Sequence, residues 1–409
     1  MITLDGYKPI EGSVCAAAGF KAGGMHGGIK KNKNNDLSLI YCEKICNTAA
    51  VYTRNRVKGA PLTVTQNHLI NGRAQAVVIN SGNANTCNAG GEEIAIAACN
   101  IAAKSLNIDA TDVLVSSTGV IGQPLSILPF EEHLPELARS LSKEGDSDCI
   151  RGIMTTDTRE KKFAVEFNIG GKPCRIGGIC KGSGMINPNM ATMLGFITTD
   201  AAISSDCLKE ALRQVNEATF SMLTVDGDCS TNDNVIVMAS GLAGNTEITS
   251  EDVNFRTFAK GLYAVCANMA REMARDGEGA TKLLECKVTH AKTVDDARKI
   301  AKSVVGSNLL KAAMFAADAN WGRILCAAGY SGADFDPGKI CVEFGSRAGR
   351  IIVCNNGGGV PFSEEEAAAL LCEEEIQIRI NLKQGDKEAT AWGCDLTYDY
   401  VKINAEYRS

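Results

Sequence analysis

Near the middle of the chain a threonine, Thr192, closes a segment built largely from glycine, proline and asparagine: Lys181-Gly-Ser-Gly-Met-Ile-Asn-Pro-Asn-Met-Ala-Thr-Met-Leu-Gly195. A loop of that composition costs entropy to order and is a poor place for a core. It is expected to hold an unusual backbone shape around one side chain, and Thr192 is the candidate. A threonine hydroxyl is a weak nucleophile until a base takes its proton. Cutting the Ala191–Thr192 bond would supply that base without a histidine. The new α-amino group, with an ordinary pKa of roughly 7.7–8.0, would lie beside Oγ. Ala191 is small and leaves the scissile carbonyl open to attack. The competing reading of the stretch is a long surface connection.

Other chemistries have less support. No G-x-x-x-x-G-K-[ST], G-x-G-x-x-G or G-x-S-x-G occurs, so nucleotide loops and a serine nucleophile elbow lack their fingerprints. Asp226 and Asp228 could share a divalent ion, but a capped, solvated turn is the plainer reading. Only four histidines are present (His26, His68, His133 and His290), none at zinc-site spacing, so no metal cofactor is expected. The seventeen cysteines include no Cys-x-x-Cys, and the closest pair, Cys42 and Cys46, is one helical turn apart. With no export signal after Met1-Ile-Thr-Leu-Asp-Gly, they point to reduced thiols in a cytoplasmic protein.

A formal net charge of -6 argues against a general nucleic-acid binder. The basic clusters Lys30-Lys31-Asn32-Lys33 and Arg159-Glu160-Lys161-Lys162 read as solvated loops. No apolar run is long enough to span a membrane. Hydrophobic content of 45% and charged content of 22% describe an ordinary globular chain, and 409 residues leave room for two domains' worth of core.

Two apolar strands that break into small polar loops would hold such a site. They are Ala74–Gly82 running on to Asn85, and Asp112–Val120. Their ends, Asn80–Asn85 and Ser116–Gly119, would present N–H groups and hydroxyls at one sheet rim. A helix with Glu92 and Glu93 in its first turn lies between them. Further helices are expected at Glu131–Leu141, Asp206–Leu223 (capped by Ser204 or Ser205), Phe255–Arg275, Val294–Ala316 and Glu364–Glu375. Lys162–Lys181 alternates as a hairpin turning at Gly170-Gly171. Strands are expected at Leu194–Asp200, Val235–Ala239, Leu283–Thr289, Ile340–Phe344, Ile351–Cys354, Ile376–Leu382 and Leu396–Ala405. The irregular alternation suggests helix-covered sheets rather than a doubly wound domain.

The loop closing on Thr192 resembles the self-cleavage region of the ornithine acetyltransferase (glutamate N-acetyltransferase) family of arginine biosynthesis. Motifs along nearly the whole chain fit the resemblance: Gly19-Phe-Lys-Ala-Gly, Gly28-Ile-Lys-Lys, Asn80-Ser-Gly-Asn-Ala-Asn85 and Ser117-Thr-Gly-Val-Ile-Gly122. Met154-Thr-Thr-Asp-Thr158, Thr224-Val-Asp-Gly-Asp-Cys-Ser-Thr-Asn-Asp233 and Asp318-Ala-Asn-Trp-Gly-Arg323 complete them. Asn187 departs from the family, which often has histidine there, and is given no role.

The resemblance implies an α/β (α+β) helix-sheet-sheet-helix sandwich of the aminopeptidase/ornithine acetyltransferase type. It implies a precursor cut into residues 1–191 (α chain) and 192–409 (β chain), pairing as α2β2. Thr192 would take the acetyl group from N-acetylornithine and pass it to glutamate, with Thr118 and Gly119 stabilising the oxyanion. Substrate contacts carry over to Thr155, Lys181, Thr192, Glu278, Asn404 and Ser409. Thr155 is preferred to its neighbour Thr156 on spacing to Lys181. No metal or nucleotide cofactor is implied, and acetyl-CoA is a co-substrate in some members only. The alternative is a related N-terminal-nucleophile amidohydrolase or aminopeptidase, with water as acceptor.

Overall fold

Apolar residues follow one another without polar alternation along several strands, which is the pattern of a sheet buried on both faces. The structure, a computed structural model, describes residues 1–187 and 193–406. Ala191, Thr192 and Ser409 therefore lie outside the described residues. The chain forms two compact units. The first comprises Met1–Gly182, Pro188–Glu217 and Cys229–Met269, and the second Ser183–Asn187, Ala218–Asp228 and Ala270–Ser409. This division is spatial and differs from the expected split at 191/192.

The strands of the first unit are β1 (Lys8–Pro9), β2 (Phe20–Met25), β3 (Leu37–Tyr52), β4 (Arg73–Asn83), β5 (Val113–Val120), β6 (Lys161–Ile169), β7 (Lys172–Lys181), β8 (Leu194–Thr199) and β9 (Asn234–Ala239). They make one mixed sheet in the order β1-β6-β7-β8-β9-β3-β4-β5, with β2 pairing on β3. The pairs β4·β5 and β8·β9 are parallel. Strand β3 is long enough to serve three neighbours because its register shifts between Tyr41 and Cys46. Cys42 and Cys46 thus lie on a strand, on either side of an irregularity, and not on a helix. The expected hairpin joins β6 to β7, with Gly170 and Gly171 both at positive φ (57° and 80°), the backbone a tight two-residue turn requires.

Helices α1 (Ala60–His68), α2 (Gly91–Leu106), α3 (Leu128–Ser140), α4 (Asp146–Ile153) and α5 (Ser205–Ala218) belong to this unit, as does the following helix as far as Met269. One face of the sheet buries Val77, Ile79, Leu114 and Phe196 with Ile150 and Ile153 of α4. The other buries Val78, Val113 and Val115 with Ala98 and Ala102 of α2 and Phe130 of α3. Alternate residues of β4 therefore enter opposite cores, which fixes its register. Ser204 accepts from the Cys207 amide at 3.3 Å and begins α5, which stops at Ala218 rather than Leu223.

Helix α6 (Val253–Arg275) precedes the strands of the second unit: β10 (Leu283–Ala291), β11 (Cys341–Ser346), β12 (Gly349–Asn355), β13 (Gly358–Gly359), β14 (Glu375–Asn381) and β15 (Lys387–Cys394). The sheet order is β13-β12-β11-β14-β10-β15, with β10·β14 parallel. Its helices are α7 (Val294–Val305), α8 (Asn308–Phe315), α9 (Trp321–Gly329), α10 (Glu364–Leu371) and α11 (Tyr398–Ala405).

Three expectations fail here. The Val294–Ala316 helix breaks at Gly306-Ser307, because Ser307 caps a new helix by accepting from Leu310 N. The acidic helix ends at Leu371, and Glu375 already opens β14. Leu396–Ala405, expected as a strand for its aromatic and β-branched residues, holds helix α11, and the strand lies earlier at β15. Tyr398 and Val401, three apart, face solvent (84% and 65% exposed), and the Asn404 amide donates to the Tyr400 carbonyl at 3.0 Å. Among the described residues no helix is long and apolar enough to cross a membrane. The α/β class stands, as two helix-covered mixed sheets.

Candidate functional site

The parallel strands β4 and β5 end side by side, with Asn80 opposite Ser117 and Gly82 opposite Gly119. Polar side chains lock this rim. Ser117 Oγ donates to Asn80 Oδ1 at 2.6 Å, and Asn80 Nδ2 donates to the Asn83 carbonyl at 2.9 Å. Asn232 donates to the carbonyls of Ala84 and Ser117, at 2.5 and 3.0 Å. Gly119 has φ +131°, and any Cβ there would strike the Gly82 backbone, so only glycine fits. Thr118 is half-buried at the end of β5. Both expected oxyanion groups are therefore held on a rigid strand end.

Next to this rim lies a buried ionic cluster. Asp157 is fully buried and makes four polar contacts. Lys161 Nζ lies 2.6 Å from Oδ1 and Lys181 Nζ 4.0 Å from Oδ2. The amides of Gly182 and Thr155 donate to Oδ1 and Oδ2, at 2.7 and 3.0 Å. Desolvation opposes the charge on Asp157, but the two lysines and these hydrogen bonds outweigh it and hold the carboxyl below its ordinary range. The carboxylate thus fixes both the Thr155 backbone and the base of the Lys181–Gly195 loop.

Lys30 closes the cluster from the other side. Its Nζ donates to the Asn35 and Met154 carbonyls at 2.8 and 2.7 Å. Its own amide donates to Oδ2 of buried Asp36, which also accepts from Gly27 N at 2.6 Å. Burial pushes the Lys30 ammonium down to about 8, further lowered by Lys181 and partly offset by Asp36 and Asp157. A cavity of about 370 Å³ opens here, and Lys30, Thr155 and Asp157 are among its lining residues.

The second unit carries a different group. Glu278 is buried in the turn after α6; its amide donates to the Ser183 carbonyl at 2.9 Å, and its Oε2 accepts from Asn404 Nδ2 of α11 at 2.8 Å. A side chain at Gly184 would collide with the Glu278 carboxylate. Asp226 accepts from the amides of Met185 and Ile186 at 2.6 and 2.8 Å, and from its own loop at Asp228 N. This is the capped turn. Burial raises the Asp226 carboxyl above its usual range against those hydrogen bonds. The Tyr400 phenol is raised well above its usual value by burial first, then by the charges of Asp226, Glu278 and Asp228. No group of three or more metal-ligating side chains occurs among the described residues.

The model of the ArgJ family matches residues 21–409. The arginine biosynthesis bifunctional protein ArgJ of Caldanaerobacter subterraneus subsp. tengcongensis is 49% identical over 401 residues, spanning 98% of this chain and 99% of its own. The chain belongs to the ArgJ family. It is an acyltransferase of arginine biosynthesis, as the motif resemblance implies, and the aminopeptidase alternative is not favoured. A crystal structure of an ArgJ protein from Bacillus halodurans is similar at TM-score 0.50 and 49% identity; the match covers 53% of this chain and 100% of that one. An ornithine acetyltransferase from Mycobacterium tuberculosis, crystallised with ornithine, matches 45% of this chain and 100% of its own at 33% identity and TM-score 0.42.

Within the first unit, Thr118 and Gly119 end β5, Lys181 ends β7 beside Asp157, and Thr155 rather than Thr156 lines the cavity. Glu278 and Asn404 are hydrogen-bonded to each other in the second unit. Ala191, Thr192 and Ser409 fall outside the described residues. Three ArgJ residues went unassigned from the sequence: Asp157, Lys161 and Lys30. The lysines belong to the two clusters read as solvated, which is a correction, since Lys161 is 1% exposed and Lys30 is half-buried. The i,i+4 spacing of Asp157 and Lys161 was a signal. Nothing in the sequence reveals the carbonyls that hold Lys30.

Proposed function

We propose that the chain cleaves itself between Ala191 and Thr192 and then moves the acetyl group of N-acetylornithine to glutamate through Thr192. The observation that carries the cut is the length of the solved Bacillus halodurans chain. All of it is matched by 53% of this chain, the share that residues 192–409 make up. In the precursor, Thr192 Oγ attacks the Ala191 carbonyl, the C–N bond breaks as the peptide becomes an ester and frees the Thr192 α-amino group, and water then hydrolyses the ester to the Ala191 carboxylate and the free Thr192 hydroxyl. That amine then takes the Oγ proton as Oγ attacks the acetyl carbonyl.

The tetrahedral oxyanion accepts hydrogen bonds from the Thr118 hydroxyl and the Gly119 amide, donors fixed before the reaction and therefore costing little reorganisation. Collapse returns the proton to the leaving amine and frees ornithine. The glutamate amine attacks the acetyl-threonine by the same path in reverse. Lys181 and Thr155 bind the α-carboxylate, while Glu278, oriented by Asn404, binds the ornithine ammonium, and Ser409 contributes a hydroxyl. No metal or nucleotide cofactor takes part. We assign acetylation of glutamate from acetyl-CoA as the second activity, supported by the word bifunctional in the names of the relatives. The α and β chains assemble as α2β2 in the cytoplasm, a location supported by seventeen cysteines, none of them in a disulfide.

Intact mass and N-terminal sequencing test the reading. The expected result is a second chain beginning Thr192-Met-Leu-Gly, and a Thr192→Ala precursor that stays whole and transfers nothing. A Thr192→Ala chain that still splits at this bond would remove Thr192 from the attacking role.

A further inference from the structure

The cations around Asp157 differ in what they already hold. Lys161 and Lys181 both face the Asp157 carboxylate. Arg151, which also lines the cavity, places Nε 3.0 Å from Glu160 and Nη1 3.9 Å from Asp148. Lys30 has no carboxylate within ion-pair distance of Nζ among the described residues. It donates to two neutral carbonyls, which use two of its three protons. A half-buried ammonium without a counter-charge is costly and is retained where a ligand supplies the charge.

The surroundings are built to keep that ammonium in place. Asp36 clamps the Lys30 backbone, and the Lys30 stem packs over Gly82, where a Cβ would come within 3.0 Å of Lys30 Cγ. Gly82 is the register partner of Gly119 in the oxyanion rim, and Met154, whose carbonyl Lys30 grips, precedes Thr155. The Lys30 head therefore borders both the reacting rim and the cavity that Thr155 lines. With three lysines against Asp157 and Asp36, the cluster carries one positive charge in excess.

We propose that Lys30 is the specificity residue for the acceptor, binding the side-chain carboxylate of glutamate. The inference rests on the reading of glutamate as acceptor. Lys181 and Thr155 account for the α-carboxylate common to both substrates, and Glu278 suits the ornithine ammonium. The second carboxylate, which only glutamate carries, is left to Lys30, the half-buried cavity ammonium that lacks one; Lys33, which also lines the cavity, is exposed. A charge-assisted hydrogen bond of this kind gives about 10- to 100-fold discrimination.

The test compares glutamate with glutamine, which lacks that charge, as acceptor for acetyl-enzyme formed from N-acetylornithine. The wild type is expected to favour glutamate about 10- to 100-fold in kcat/KM. Lys30→Met collapses that ratio towards one, mainly through KM, and acetyl-enzyme formation from N-acetylornithine, followed by mass, falls less than transfer to glutamate does. Lys30→Arg keeps most of the preference. A wild type that uses glutamine as well as glutamate overturns the inference, as does a Lys30→Met ratio that stays high or an equal loss in both half-reactions.

If Lys30→Met does not fold, the pH profile decides. In the wild type, the glutamate KM relative to glutamine rises above pH about 8 as Lys30 loses its proton in the field of Asp36, Asp157 and Lys181. In Lys30→Arg it stays flat, and identical profiles overturn the proposal. Absence of any acetyl transfer by the wild type would instead refute the acetyltransferase reading itself.

Discussion

The two units each hold a polar cluster, and the clusters have opposite character. In the first unit, Lys161, Lys181 and Lys30 surround Asp157, with Asp36 set behind, so cations outnumber anions. In the second, Asp226, Asp228 and Glu278 bear on one phenol, Tyr400, with the neutral Asn404 beside them. The first group is suited to carboxylates, the second to an ammonium. The first cluster is tied by a carboxylate that meets two lysines and two backbone amides, whereas in the second Asp226 holds backbone amides and Glu278 accepts from a side-chain amide. One cluster is scaffold as well as site, and the other is closer to site alone.

Asp157→Asn breaks the contrast most directly. The amide leaves Lys161 and Lys181 buried without their counter-charge, which for a buried pair costs about 3–5 kcal/mol. Chemical denaturation should show that loss, and little processed chain should accumulate. The pH dependence has a definite sign. The folded Asp157 carboxyl lies below its unfolded value of about 3.9, so its stabilisation is complete above that pH and fades as pH falls through it towards the folded value. The Asp157→Asn chain should lack this acid-sensitive component. A curve parallel to wild type would show that the cluster is not held by charge.

Glu278→Gln tests the other side. It keeps the shape and the contact with Asn404 but removes the negative charge. Acetyl-enzyme formation from N-acetylornithine should slow by about 10- to 100-fold in kcat/KM, while stability changes by less than about 1 kcal/mol. Equal damage to stability and rate would make Glu278 scaffold, and the two clusters would no longer differ in kind.

What the sequence makes legible follows the same divide. Strand ends β4 and β5 can be read because runs such as Ala-Val-Val-Ile stop abruptly at Asn, Ser and Gly, and the backbone chemistry of that rim needs little beyond the strands themselves. The hairpin between β6 and β7 is equally local, set by two glycines. Lys30 and Lys161 are hidden because a run of charges looks solvated whichever member turns inward. Only long-range partners, Met154 for Lys30 and the buried end of β6 for Lys161, decide their burial. Helix α11 was misread because tyrosine, valine and isoleucine favour strands in isolation, and tertiary context overrides that preference. Thr155, Asp157 and Lys181 are all visible as motif members, but that the Asp157 carboxylate ties the other two together is visible only as geometry.

Asp226→Asn should have an intermediate effect. Asp226 accepts the amides of Met185 and Ile186, and the Ile186 carbonyl accepts from Val225 at 2.6 Å, so this strap is fixed at both backbone groups. An asparagine can still accept one amide, so the loss should be about 1–2 kcal/mol. Its larger consequence falls on processing, because the strap lies four to seven residues before the proposed cut. Slower conversion of precursor on a denaturing gel is expected, with transfer by the processed fraction nearly normal.

The smallest effect belongs to Asn404→Ala. Asn404 is exposed, and its amide orients Glu278 Oε2 while donating to its own helix at Tyr400. Losing one solvent-accessible hydrogen bond costs about 0.5–1.5 kcal/mol, and water can take the vacated position on Glu278. If Asn404 only aims the carboxylate, the KM for N-acetylornithine should rise about three- to ten-fold at constant kcat. The glutamate half-reaction should be untouched, because the acceptor carries no side-chain ammonium. A fall in kcat for both half-reactions would place Asn404 at the reacting centre and make the second cluster more than an ammonium site.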